Sequence, residues 1–386
     1  MSTRDHLTTF LESTLPQLAL AERREADVEL TSRNIVLYGS GKFGQYIARG
    51  LRKTPVTPAT FVDANESRQG TECCGLPVLS PLEAISRYGE SHIFVVTVWR
   101  NYLKLEKQLK TSGARHVRPF LPFLWRHAEA LLPYYNHDLP SRMLSQKRHI
   151  YEAFDLFEEE HSRREFLFQL QWMLSLEAAE IPPCSPLNEQ YFPSDIFSPS
   201  RTEVLIDAGA FDGDTIQEFL FRTQNQFDKI LAFEPDPDNW RLLNSFVATL
   251  PTHLREKIRL YPVGLGARRE VLRFDASGSV SSAISASGGT EIQVMSLDEI
   301  LQDVSPTYIK MDIEGAELDA LAGGATIIAR SRPKLAACVY HKQSHLWEIP
   351  IQFKRLSRHY RLYLRRYRDE FGDVVCYAVP GEQALP

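Results

Sequence analysis

The sequence predicts an α/β protein in which two Rossmann-like segments are joined by a helical stretch. Three observations point there. An apolar run leads into a glycine turn and then a helical pattern twice, at residues 34–51 and again from residue 203. Strand and helix alternate at the spacing of parallel βα units on both sides of the stretch 119–200. The last two expected strands, 360–366 and 374–379, are linked too tightly for a helical crossover. They pair as a hairpin and leave one antiparallel strand on an otherwise parallel sheet. The expected domains are 1–118, a helical linker or cap 119–200, and 201–386.

In the first segment, residues 7–26 carry an amphipathic helical pattern. Residues 34–38 read as a buried strand running into Gly39-Ser40-Gly41-Lys42-Phe43-Gly44, with a helix after it. Further strands are expected at 59–63 and 92–98, and helices at 81–88 and 102–111. Residues 119–171 turn to long helical runs, and the proline-bearing stretches 181–187 and 193–200 break regular structure. In the second segment, strands are expected at 203–207, 229–233, 258–262, 307–312, 333–340, 360–366 and 374–379. Two more, 270–274 and 290–295, flank a Ser/Gly-rich loop whose Ser281 and Ser282 are candidates to bind an acceptor.

The composition, 43% hydrophobic and 24% charged over 386 residues, is that of a globular protein with a substantial core. A net charge of -5 offers no general basic footprint, so nucleic acid is not expected as a partner. Arg361, Arg365, Arg366 and Arg368 alternate with apolar residues and read as a strand with one solvated face. Five scattered cysteines contain neither a disulfide framework nor a CxxC metal pair. The N-terminus lacks a secretory apolar run, and no run is long enough to span a bilayer. A cytoplasmic protein acting on a small-molecule or glycan acceptor is expected, with homo-oligomers allowed for.

The second segment carries the stronger chemical signal. Asp207 ends its first strand, and Gly209 and Gly213 follow before the helix near Thr215. In a doubly wound sheet, ligands sit at the carboxyl ends of the strands near the point where their order reverses. Glycines there admit a close ligand, and the helix start supplies free N–H donors. Glu234 ends the next strand, where an acid can hold both hydroxyls of a ribose. A nicotinamide dinucleotide would suit such a turn too. Asp207 and the spacing D-x-G-x-x-x-G favour a ligand with an amino group and a sulfonium over a pyrophosphate. The plainer alternative makes Asp207 a helix cap and Glu234 a solvated strand end.

Several motifs then occur in order: Asp207 to Thr215, Ala232-Phe-Glu-Pro235, Val263-Gly264, Ser281-Ser282, Ser296-Leu-Asp298 and Ile309-Lys-Met-Asp-Ile-Glu-Gly-Ala-Glu317. Over roughly residues 203–379 the chain resembles the FkbM methyltransferase family. The resemblance implies a class I methyltransferase fold, S-adenosylmethionine as donor, and O-methylation, often of sugars or natural products. It implies a cofactor site from Asp207, Gly209, Ala210, Phe211, Gly213, Thr215, Glu234, Pro235, Gly264 and Asp312. Transfer to a hydroxyl needs alignment and a base. Asp312, Glu314 and His341 are the candidates, His341 for its near-neutral intrinsic pKa. Asp312 as a helix cap, His341 as a surface loop residue, and a metal site of Asp312, Glu314 and His341 stay open, although no metal is expected.

In the first segment, Gly39, Gly41 and Gly44 lie between strand and helix, and Asp63 ends the next strand at a ribose-acid position. This second nucleotide-type site suits NAD or a nucleotide sugar, and a redox activity or a non-catalytic assembly role are alternatives. No Tyr/Lys pair for hydride chemistry accompanies it; Arg100 could reach a phosphate. Cys73-Cys74 before Gly75 reads as a turn, and Tyr191 as an aromatic that covers cofactor or shapes the acceptor pocket.

Overall fold

The computed structural model describes residues 1–27, 34–98, 102–175, 181–275, 283–284, 290–368 and 372–381. Arg100, Ser281, Ser282 and most of the Ser/Gly-rich loop lie outside the described residues. The chain divides into two compact units, Met1–Lys147 with Leu170–Ala179, and Arg148–Gln169 with Glu180–Pro386. The stretch 119–200 therefore contributes to both units.

The first unit holds a sheet of β1 (Ile35–Tyr38), β2 (Thr60–Val62), β3 (Glu72–Cys73), β4 (Leu76–Leu79), β5 (Ile93–Val96) and β6 (His116–Pro119). Their order is β3-β4-β2-β1-β5-β6, parallel throughout except for the β3–β4 hairpin. Strands β3, β4 and β6 escaped the sequence reading for physical reasons. β3 has two residues, β4 contains Pro77, and β6 buries little of itself. The N-terminal helix is also interrupted, by a wider turn at Phe10–Thr14. Val36, Tyr38, Val62, Phe94 and Val96 form the core under the strands.

The second unit begins with β7 (Val204–Ala208), β8 (Lys229–Phe233) and β9 (Ile258–Tyr261). A small sheet follows, made of β10 (Gly264–Leu265), β11 (Glu270–Asp275), β12 (Ala283–Ile284) and β13 (Thr290–Met295). β14 (Tyr308–Met311), β15 (Lys334–Cys338), β16 (Tyr360–Arg366) and β17 (Val374–Pro380) complete the main sheet. Its order, β16-β17-β15-β14-β7-β8-β9, is that of a doubly wound, mostly parallel α/β sheet. β17 is antiparallel to both neighbours, as the short link requires. The order reverses between β7 and β14, so the ligand crevice is expected beyond their carboxyl ends.

One reading of the sequence is overturned here. β16 has no solvated basic face: Arg365 and Arg366 are each 1% exposed. Arg365 bonds Glu159 and Asp195, while Arg366 pairs with buried Glu165 at 3.0 Å. A buried guanidinium survives only with such partners, and these lie about 170–206 residues earlier, Glu165 in the helix Glu160–Ser175.

Candidate active site

The site is built from three strand ends. After β7 the chain turns sharply, and Gly209 N–H and Ala210 N–H both donate to the Phe233 carbonyl at 3.0 Å. Gly209 has φ +79, and a Cβ on it would lie 1.9 Å from the Asp312 carbonyl oxygen. Only glycine lets the turn after β7 touch the turn after β14 so closely. Gly213 is left-handed too, and a Cβ on it would lie 2.4 Å from the Phe246 ring. The helix Asp214–Arg222 starts directly after it, with Thr215 buried in its first turn.

Glu234 is nearly buried, and it closes this turn from β8. Its Oε2 accepts from Phe211 N–H at 2.9 Å and its Oε1 from Asp236 N–H at 2.8 Å. Burial pushes its carboxyl up to about 7 despite those donors. It is thus neither a solvated strand end nor unengaged, although each oxygen keeps a second lone pair. Pro235, half-buried, follows it.

Asp207 is not on the crevice surface. It is fully buried, with Lys310 Nζ at 3.0 Å. Lys310 comes from β14 and donates to the Gly209 carbonyl at 2.6 Å, lying over the Tyr191 ring. Burial lifts the Asp207 carboxyl to about 6, with Lys310 pulling the other way. Burial would lower Lys310, but Asp207 and then Asp312 outweigh it and hold the ammonium above its usual value. Asp207 therefore reaches the glycine turn through a lysine. Gly264 sits apart in β10, packed against Val294.

Beyond β14 and β15 lies a charged cluster. Asp312 is tied to the turn by its N–H, which donates to the Ala208 carbonyl at 3.0 Å. Its Oδ2 accepts from Tyr191 Oη at 2.7 Å and its Oδ1 lies 3.3 Å from His341 Nε2. Glu314 Oε2 stands 3.6 Å from the same nitrogen. On the other side of the ring, His341 Nδ1 is 2.8 Å from Glu317 Oε1, which also accepts from Ile313 N–H and Gly315 N–H. His345 Nδ1 lies 3.2 Å from Glu317 Oε2.

His341 is buried, so the surface-loop alternative fails. Burial would lower its pKa, but Glu317, Asp312 and Glu314 outweigh that and lift it to about 9. Burial raises Glu314 to about 7, opposed by His341. Glu317 is held well below the carboxylate range: burial would raise it, and His341 and His345 more than reverse that.

Sequence reasoning missed Lys310, Glu317, His345 and Tyr340, whose hydroxyl lies 3.4 Å from Asp312 Oδ1. A signal was present for the first. A lysine inside the apolar strand Tyr308–Met311 must have a buried counter-charge.

The glycine turn of the first unit is arranged differently. Gly44 has no room for a Cβ, which would lie 2.0 Å from the Gly39 carbonyl oxygen. Asp63 Oδ2 accepts from Ser40 N–H at 3.0 Å, Ser40 Oγ at 2.6 Å and Arg68 at 3.2 Å. Its Oδ1 accepts from Asn65 N–H at 2.9 Å. Burial raises this carboxyl, and the donors, Ser40 first, bring it below its ordinary value. Gly41 has open space, its nearest neighbour being Arg68 at 3.7 Å. Cys73 and Cys74 stand at the β3–β4 turn, with Cys74 left-handed, as a turn requires.

Residues 207–371 match the family model of the methyltransferase FkbM domain. This stretch is similar to FkbM methyltransferase domains, and the match runs from the first residue of the glycine turn past β16. The solved methyltransferase FkbM from Methylobacillus flagellatus KT is 22% identical, covering 96% of this chain and 99% of that one at a TM-score of 0.80. At that identity the likeness shows a shared fold. A putative rRNA-methylase from Clostridium thermocellum covers 47% of this chain and 89% of its own, 8% identical, TM-score 0.30. UDP-D-quinovosamine 4-dehydrogenase from Vibrio fischeri covers 23% and 78%, 18% identical, TM-score 0.20. Both are too distant to bear on the fold. No curated protein matches the chain. The match supports a methyltransferase function, and with it an enzyme of a class that generally uses S-adenosylmethionine. Among the described residues, no helix is long and apolar enough to cross a membrane.

Proposed function

We propose that the FkbM-like domain methylates a hydroxyl of a sugar, glycan precursor or related metabolite, with S-adenosylmethionine as donor. The observation that carries this reading is the contact of the glycine turn with the acid–imidazole cluster. Gly209 abuts the Asp312 carbonyl, so a ligand seated on the turn lies beside Asp312, Glu314 and His341.

The residues fit the donor. The left-handed Gly209 and Gly213 shape the turn, packed without a Cβ against the Asp312 carbonyl and the Phe246 ring. Glu234 offers a carboxylate at the end of β8 for the ribose hydroxyls. Phe211 and Pro235 are assigned to the rim, the buried Ala210 and Thr215 to the support beneath it, and Asp207 to positioning, since it holds Lys310 on the Gly209 carbonyl. When bound, S-adenosylmethionine supplies an electrophilic methyl group. The chain's own task is to orient the acceptor oxygen and take its proton. Asp312, Glu314 and His341 are assigned that task, with Tyr191 fixing the Asp312 carboxylate.

Isothermal titration with S-adenosylmethionine, NAD and nucleotide sugars tests the reading. Expected is S-adenosylmethionine binding lost in Glu234→Ala, and labelled methyl transfer into a glycan or metabolite extract. NAD binding alone, lost in Gly41→Val, would overturn it. So would near-full turnover in both His341→Ala and Asp312→Asn with donor affinity unchanged. The turn at Gly39 we read as a scaffold, because Asp63 accepts four hydrogen bonds within its own unit, three of them on Oδ2.

A further inference from the structure

We propose that Asp312, Glu314 and the Nε2 atom of His341 form a binding site for one divalent first-row cation of the manganese type. Three observations carry it. His341 Nε2 is buried and has no aligned hydrogen-bond partner. It faces two carboxylate oxygens, Asp312 Oδ1 at 3.3 Å and Glu314 Oε2 at 3.6 Å. The opposite nitrogen, Nδ1, is 2.8 Å from Glu317 Oε1.

The chemistry follows from the tautomer. Glu317 Oε1 sits among three donor groups, from His341, Ile313 and Gly315, so it accepts and the proton rests on Nδ1. Nε2 faces two carboxylates, so a positive species belongs between them: the second imidazole proton in the metal-free chain, or a cation that displaces it. Neighbouring ligand atoms around an ion at about 2.1 Å are about 3 Å apart, close to the spacings here. A histidine ligand normally donates its other N–H to a carboxylate, which is the place Glu317 occupies. Asp312 is supported in the same way by Tyr191 Oη at 2.7 Å. Asp312, Glu317 and His341 each place a possible ligand atom within 4.8 Å of the others. Glu317 already holds the far side of the imidazole, so Glu314 rather than Glu317 is the third ligand. Mixed carboxylate and imidazole donors suit manganese better than calcium or magnesium.

Three protein ligands leave coordination positions for the acceptor. Where the methyl-transfer reading holds, the ion would favour an acceptor that offers two adjacent oxygens, and would lower the pKa of the hydroxyl to be methylated. The binding site itself does not depend on that reading.

The test is manganese binding by the full chain after chelator treatment, titrated with MnCl2 and followed by the paramagnetic resonance of free Mn(II). One saturable equivalent is expected. The double variant Asp312→Asn, Glu314→Gln should lose it, and Glu317→Gln should weaken it by about 10–100-fold. Glu314 is only half-buried, so Glu314→Gln alone keeps the test usable if the double variant misfolds. Circular dichroism checks folding in each case. Absence of saturable uptake in the wild type overturns the proposal, as does unchanged uptake in a folded double variant. Calorimetry with S-adenosylmethionine on the same metal-free sample reports separately on the methyl-transfer reading.

Discussion

The two glycine turns share a grammar and differ in where their carboxylates look. Both follow a first strand, both hold a glycine where a Cβ would collide with a carbonyl oxygen, and both face an acid from the neighbouring strand. In the first unit Asp63 accepts four hydrogen bonds, from Ser40, Asn65 and Arg68. In the second, Glu234 accepts one backbone amide per oxygen, and a buried lysine, Lys310, braces the turn from below. A strand–glycine–helix motif with a ribose-position acid therefore describes a backbone path. What the acid is left to bind is decided by its neighbours' donors.

The contrast can be broken most forcibly at Lys310. Lys310→Met strands the Asp207 charge in the core, and a loss of about 3–5 kcal/mol is expected in urea unfolding. Lys310→Met with unchanged stability would remove the brace from the account. Next come the paired glycines. Gly44→Ala and Gly209→Ala both overpack by about 1–3 kcal/mol. Only Gly209→Ala should also weaken S-adenosylmethionine, by about a hundredfold in calorimetry, equivalent to about 2.7 kcal/mol. Equal weakening by Gly44→Ala would mean that the first turn takes part in donor binding.

Asp63→Ala should cost about 1–3 kcal/mol by orphaning the buried Ser40 donors, while turnover per folded molecule stays unchanged. The smallest effect is a pH dependence. Glu234 is raised to about 7, so the fold favours its neutral form. Its contribution to stability is full below the ordinary carboxylate range and is lost as pH rises through about 7. Donor affinity runs the other way: calorimetry from pH 8 to 6 should show weakening of up to about tenfold as Glu234 protonates. Asp63 is lowered, so its stability contribution stands across that range and fades only in acid. A flat affinity profile would mean that Glu234 does not receive the ribose.

Much of this was readable from residues alone. The apolar runs before Asp207, Glu234 and Asp312 gave the three strands of the site; Glu234 and Asp312 stand just past theirs, while Asp207 stays buried inside β7 beside Lys310. The hairpin of β16 and β17 followed from link length. Partnership over long sequence distances was not readable. Glu165 for Arg366, Lys310 for Asp207 and Glu317 for His341 depend on tertiary packing, which periodicity does not encode. Hence Arg365 and Arg366 looked solvated and His341 looked available as a loop residue. The short strands of the first unit were invisible for the complementary reason, since two residues or a proline carry no period.

The placement of β17 has a temporal consequence. Among the described strands, β16 touches the main sheet only through β17, which is made after it. As the chain leaves the ribosome, residues 360–366 must wait for 374–380 before they can dock. Until then β15 presents an open edge, a surface on which nascent chains adhere to one another or to chaperones. A chain stopped before residue 374 would expose that edge for good, and so mark itself for disposal.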